Sequence, residues 1–394
     1  MKIRMHTPKI LMIITISIVF VIGLIFFILR GQYSNPDLKT LVAKCQDDNP
    51  SKQALCLQST LETLVRENGV DKAFDLIAFL GEIDENEVVN CHDYAHAIGR
   101  EAYRVFAEGE KFEVSTKTSY CAYGFYHGFM ETMLSISGNV SQAKEFCNYI
   151  ETEFTKKGYS NQLACYHGIG HGWTNVHDET LWGDERAMVY PALELCEQVT
   201  QDPHRLSICA TGVFDSISIG YYNEAYGLKI NKLDPMWLCR EQEEKYKDPC
   251  YMDLSPAILW LGEYKLDKAL TYLHLVEDGH EKPFIESVSS GAVRFVFNRG
   301  EDIKDSVNIC RTLSLDHSLT CIRGLVGGII QFGIPDREHE KAIEFCSSEE
   351  LTSEEQIICS ETLVNQLRVK YGKDRFGTVC KMIESELGYA CVVE

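Results

Sequence analysis

The sequence contains no C-x-x-C, no C-x-x-C-H, no H-E-x-x-H and no G-x-S-x-G. The first two absences remove the signatures of a thioredoxin-type redox pair and of covalent c-type haem attachment. The other two remove those of a helical zinc protease and of a strand-to-helix nucleophile elbow. Acidic residues are missing from the first 36 positions, and basic ones are scarce beyond Arg30, where 34 Lys and Arg face all 58 Asp and Glu, a net of −24. A surface that negative repels nucleic acid and anionic lipid and favours cations, so nucleic acid is excluded as a partner. Histidine is sparse as well, with 12 in 394 residues.

What is present begins with Lys2, Arg4 and Lys9, followed at residues 10–29 by twenty positions without a charge. That length spans a bilayer. The run ends in Leu29-Arg30-Gly31-Gln32-Tyr33 rather than in the small residues of a cleavage site, and it reads as an uncleaved signal-anchor, with a cleaved signal as the alternative. The expected layout is a cytoplasmic tail at 1–9, a transmembrane anchor at 10–29, a linker at 30–36 and an extracytoplasmic remainder tethered to the cell membrane, a single-pass arrangement. All 16 cysteines lie between Cys45 and Cys391, as suits an oxidising compartment.

The cysteines follow a pattern. Cys45 with Cys56, Cys239 with Cys250, Cys310 with Cys321, and Cys380 with Cys391 each enclose ten residues; Cys196 with Cys209 and Cys346 with Cys359 enclose twelve, and Cys147 with Cys165 encloses seventeen. The first member ends an apolar run and the second opens another, which predicts helix, short connection, helix, stapled by a disulfide. Cys91 and Cys121 are left over, either bonded to each other or serving as thiolate ligands. With Val288 standing in for one missing cysteine, the second members recur at steps of 30 to 44 residues, with a mean of about 37.

The fold class expected is therefore all-α, a disulfide-stapled α-solenoid of helical hairpins after the transmembrane helix, divided into 37–190 and 191–394. Over roughly residues 37–394 the chain resembles the tetratricopeptide and Sel1-like class, particularly its cysteine-rich secreted members. That resemblance implies a helical-repeat fold and a protein or peptide partner on the concave face. It implies no reaction.

Aligned on the second cysteine, glycine recurs three residues later at Gly124, Gly168, Gly212, Gly291 and Gly324, as expected where helices approach closely. Histidine does not recur in this way. Six residues after the landmark stand His127 and His171, whereas later units have Asp215, Pro256, Arg294 and Gly327. His92 and His96 in one unit, His127 and Glu131 in the next, and His167 and His171 in a third are each four residues apart, so each pair shares a helix face with Cβ atoms roughly 5–6 Å apart. Stacking these units brings His92, His96, His127, Glu131, His167 and His171 together as metal ligands, for one crowded ion or for a pair. Asp93 is placed to orient an imidazole, and His177 is a seventh candidate.

A histidine-rich set with one carboxylate suits copper or zinc ahead of iron. Two functions are expected from it. One is a metal-dependent oxidoreductase or hydrolase, with Glu131 as ligand or general base. The other is a non-catalytic repeat scaffold held by its disulfides.

Overall fold

The computed structural model describes residues 37–109, 114–156, 164–176 and 179–391. The predicted membrane anchor at 10–29 and His177 lie outside the described residues. Among the described residues, no helix is long and apolar enough to cross a membrane.

Every regular element described is helical. The first unit, which ends at Gln46, contains α1 (Leu38–Cys45), capped by the Asp37 side chain on the Lys39 amide. Residues 47–394 form the second unit. It opens with α2 (Pro50–Asn68), α3 (Val70–Ile83), α4 (Cys91–Ala107), α5 (Gly124–Ser137), α6 (Val140–Lys156), α7 (Ala164–Val176), α8 (Glu185–Val199) and α9 (Pro203–Tyr222). It continues through α10 (Trp237–Arg240), α11 (Glu244–Asp253), α12 (Ser255–Leu261), α13 (Leu266–Leu270), α14 (Glu281–Asn298) and α15 (Asp305–Cys310). The last helices are α16 (Leu315–Phe332), α17 (Glu338–Cys346), α18 (Ser353–Lys370) and α19 (Lys373–Leu387).

Local chemistry sets these boundaries. Asn49, Asp184 and Asp202 each cap a helix through a side-chain oxygen, with Pro50 and Pro203 in first turns where a missing N–H costs nothing. Thr352 and Glu355 form a reciprocal capping box on α18. No described cysteine is free, and the hairpins carry the disulfides their spacing predicts: Cys147–Cys165, Cys196–Cys209, Cys239–Cys250, Cys310–Cys321, Cys346–Cys359 and Cys380–Cys391. In the chain-entropy view each such short loop contributes on the order of 2–3 kcal/mol. Cys91 and Cys121 are bonded to each other, which removes them as thiolate ligands.

Within the second unit α4 packs on α5, α5 on α7, α7 on α9, α9 on α11 and α12, those two on α14, and α14 on α16. This order returns on itself: α14 touches the 3-10 turn Glu85–Asn90, and α16 touches the turn Cys121–Tyr123. Helices α4, α5, α7 and α9 lie backbone to backbone. A methyl group on Gly128 would overlap the His96 carbonyl oxygen, and one on Gly212 would overlap the carbonyl oxygen of His167. Such contact leaves little room between helix axes, so the side chains beside each glycine are brought into one another's reach.

Candidate metal centre

Helices α4, α5, α7 and α9 point their histidine-bearing faces at one another. His127 of α5 sits in the middle, with its ring centroid 5.1 Å from both His92 and His96, 4.6 Å from His167 and 4.8 Å from His171. The five predicted imidazoles, which span 80 positions of sequence, are thus one cluster. Glu131 joins them, its carboxylate 2.9 Å from His171 Nδ1 and 3.7 Å from His96 Nδ1.

Asp215 of α9 completes the group, with Oδ2 3.6 Å from His167 Nε2 and 3.7 Å from His171 Nε2. It was not foreseen as a site residue. The signal that could have found it is its place six residues after Cys209, the position occupied by His127 and His171 in their own units. Asking where histidine recurs passes over a carboxylate that does the same work.

Hydrogen bonding fixes which ring nitrogens face inward. His92 Nδ1 lies 2.9 Å from the Cys121 carbonyl oxygen, which can only accept, so His92 donates there and presents a lone pair at Nε2. The Thr211 hydroxyl donates to the Ile208 carbonyl at 2.7 Å and accepts from His167 Nδ1 at 2.8 Å, leaving a lone pair on His167 Nε2. His171 Nδ1 donates to Glu131. In metal sites an outward N–H bond of this kind holds the ligand nitrogen in place. Asp93, expected in that role, is exposed, and the Cys121 carbonyl fills it for His92.

The carbonyl is aimed by an uncommon turn. Cys121, Ala122 and Tyr123 are consecutive residues in the left-handed region, with φ of 55°, 54° and 61°. Each costs about 1–2 kcal/mol relative to ordinary backbone, so the turn persists only because its surroundings impose it.

The inward faces carry more acceptors than protons. His92 Nε2 and His96 Nε2 are 3.1 Å apart. If His96 donates from Nε2, its Nδ1 lone pair faces the Glu131 carboxylate; if it donates from Nδ1, two Nε2 lone pairs collide. Protonating both nitrogens is opposed by burial, which holds the His96 pKa well below that of a free imidazole, reinforced by the positive potential of His92. His127 is held well below too, by burial first and then by His167 and His171. Burial also lowers His92. His171 goes the other way: burial pushes it down, but Glu131 and Asp215 outweigh burial and raise it. For Asp215, burial pushes up while the neighbouring His167 and His171 imidazoles pull it down more. Farther along the interior, Asp253 is raised well above an ordinary carboxyl by burial and by the charge of Asp215.

Two buried nitrogens, His127 Nδ1 and His167 Nε2, have no hydrogen-bond partner among the described residues. An orphaned buried polar atom costs about 1–3 kcal/mol. The buried polar cluster at the other end of the unit is different: Lys370 Nζ meets Glu338 at 2.8 Å and the Ile330 carbonyl at 2.9 Å, while the Tyr371 hydroxyl donates to Glu338 at 2.7 Å. There every polar partner is protein and no cation is called for.

The histidine cluster fits one. Two nitrogens bound to the same ion at about 2.0–2.1 Å lie about 3.1 Å apart when their angle is about 100°. That is the spacing of His92 and His96 Nε2. Gaps of 3.6 and 3.7 Å around Asp215 are too long for hydrogen bonds and suit two donors of one ion at about 120°. Two compact donor sets result: His92, His96 and His127, and His127, His167 and Asp215, the atoms of each lying within 4.8 Å of one another. Glu131 belongs to neither set; it rests against Nδ1 of His96 and His171. Water reaches the cluster, since the side chains of His96, His167, Asp215 and Glu131 are 15–24% exposed. The remaining described histidines stand apart: His280 meets Asp248 at 2.6 Å, His339 meets Tyr371 at 3.2 Å, and His274 bonds a carbonyl of its own turn.

Comparison with protein-family models, with curated proteins and with solved structures finds no match for this chain.

Proposed function

We propose that this protein is a membrane-anchored, extracytoplasmic repeat protein of disulfide-stapled helical hairpins, akin to the tetratricopeptide and Sel1-like class, with a histidine-rich transition-metal centre. Copper or zinc suits the donor set ahead of iron, because imidazole nitrogen outnumbers carboxylate oxygen. The observation that carries this reading is the proton shortage: inward lone pairs on His92, His127 and His167 meet one another and Asp215 with too few hydrogens between them. A cation satisfies all of them at once.

The centre is read as catalytic, in a metal-dependent hydrolase or oxidoreductase. Each compact set supplies three protein donors and is reached by solvent, which leaves a position for water or substrate, whereas purely structural zinc is enclosed by four protein ligands. Glu131, fixed against two imidazoles, orients them and accepts protons at the edge of the site.

The test is metal content. The full chain, purified without chelator, is expected to retain a transition metal that the His127→Ala variant lacks; equal content in the two sinks the proposal. An open coordination position is then tested by azide or cyanide binding to the cobalt- or copper-loaded protein. A spectrum indifferent to both anions would favour a scaffold with a closed centre.

A further inference from the structure

Building on the metal-centre reading, we infer that the site holds two ions rather than one. The first sits among His92, His96 and His127, the second among His127, His167 and Asp215 with His171 beside it.

Geometry separates the two positions. Donors of a single ion at about 2.1 Å are at most about 4.2 Å apart. Among the described residues the donors fall into two sets, each with its atoms within 4.8 Å of one another and so within a small inward shift of that limit, and neither set spans the cluster from His92 to Asp215. Each set holds a near pair of its own: His92 with His96 at 3.1 Å, and His167 with Asp215 at 3.6 Å. Each also has its own outward anchor, the Cys121 carbonyl for His92 and the Thr211 hydroxyl for His167. One ion needs one such arrangement; the duplication has no use for a single ion.

His127 is common to both sets, and as the imidazolate, with its ring proton released to solvent when the second ion binds, it can serve each ion through one nitrogen. Its ring is nearly perpendicular to His92 and His96, at 82° and 83°, and nearly parallel to His167 and His171, at 15° and 23°. It is the hinge between two differently oriented pairs. Charge is consistent with two dications: Glu131 and Asp215 bracket the cluster, and the exterior part of the chain is strongly acidic.

Zinc binding by the full chain tests this. After equilibration with Zn2+ and removal of excess, two zinc ions per chain are expected. The Thr211→Val variant, which leaves every ligand in place but frees the His167 ring, is expected to retain one ion tightly and to bind the other 10- to 100-fold more weakly. His92→Ala is expected to retain one, and His127→Ala to retain neither. One zinc per wild-type chain at saturation overturns the two-ion inference while leaving the metal centre standing; no zinc overturns both. Should the alanine variants misfold by circular dichroism, copper loading of the wild-type chain decides instead. Two adjacent Cu2+ ions give a spin-coupled resonance with a half-field transition, and an uncoupled axial signal accounting for all bound copper rejects the pair.

Discussion

Gly128 of α5 lies directly under the carbonyl oxygen of His96 on α4, with no space for a β-carbon between them. The obstructing atoms are helix backbone, which cannot swing aside as a side chain can. Gly128→Ala is therefore expected to force α4 and α5 apart, costing about 1–3 kcal/mol in chemical denaturation. It should also weaken metal binding, because His96 and His127 ride on the separated helices. A variant with unchanged midpoint and unchanged metal content would show that the contact is relaxed in solution.

Thr211 offers a milder perturbation. Its hydroxyl receives His167 Nδ1–H and passes its own proton to Ile208, so Thr211→Val removes the bond that fixes the ring while keeping the shape. The expected signature is a 10- to 100-fold loss of affinity for one metal equivalent with a melting temperature shifted by only a few degrees. Titration calorimetry beside thermal unfolding separates the two effects.

Ala122 should behave against the usual trend for glycine substitution. It occupies the left-handed region between two other left-handed residues, where a β-carbon is strained. Ala122→Gly relieves about 1 kcal/mol in the folded state and gives part of it back through greater freedom of the unfolded chain. The net expectation is a change between zero and about 1 kcal/mol in favour of the fold, read from urea midpoints. Clear destabilisation would mean that the turn is not left-handed in solution.

Acid sensitivity is expected at α18. Glu355 accepts two bonds from Arg311, at 2.9 and 2.7 Å, and closes the capping box with Thr352. The Arg311 bonds lead in holding its carboxyl below the ordinary value of 4.5. A lowered carboxyl adds stability that is complete above the unfolded value and disappears as pH falls through the folded one, so this contribution is intact at neutrality and declines as pH falls from about 4.5 through the lowered value. Glu355→Gln should lower the urea midpoint at pH 7, by an amount that shrinks as pH is lowered below about 4.5. A deficit that does not shrink would assign the effect to packing.

The contrast between Asp215 and His171 shows how much of the centre was legible in the sequence. Both stand six residues after a landmark cysteine, and helical period with repeat register suffices to put them at the same depth on adjacent helices. Register places a position without saying which chemistry matters there, so in the sequence Asp215 stands beside Pro256, Arg294 and Gly327 as one more unit without histidine. Glu131 was legible as a member of the cluster, but its contact with the Nδ1 atoms of His96 and His171 depends on rotamers that no spacing encodes. The staples were legible because disulfide and helix geometry are local. The contact of α16 with the turn Cys121–Tyr123 was not, since it depends on small rotations accumulated over many hairpins.

That last contact bears on biosynthesis. Every donor of the centre, from His92 to Asp215, is polymerised before α14 and α16, the elements that meet the turns Glu85–Asn90 and Cys121–Tyr123 from the far end of the unit. A chain emerging amino end first thus exposes its donor atoms for the interval needed to make roughly another hundred residues, which at about 5–20 residues per second is on the order of 5–20 s. On the metal-centre proposal, a full set of donors is thus made before the elements that complete the ring of contacts.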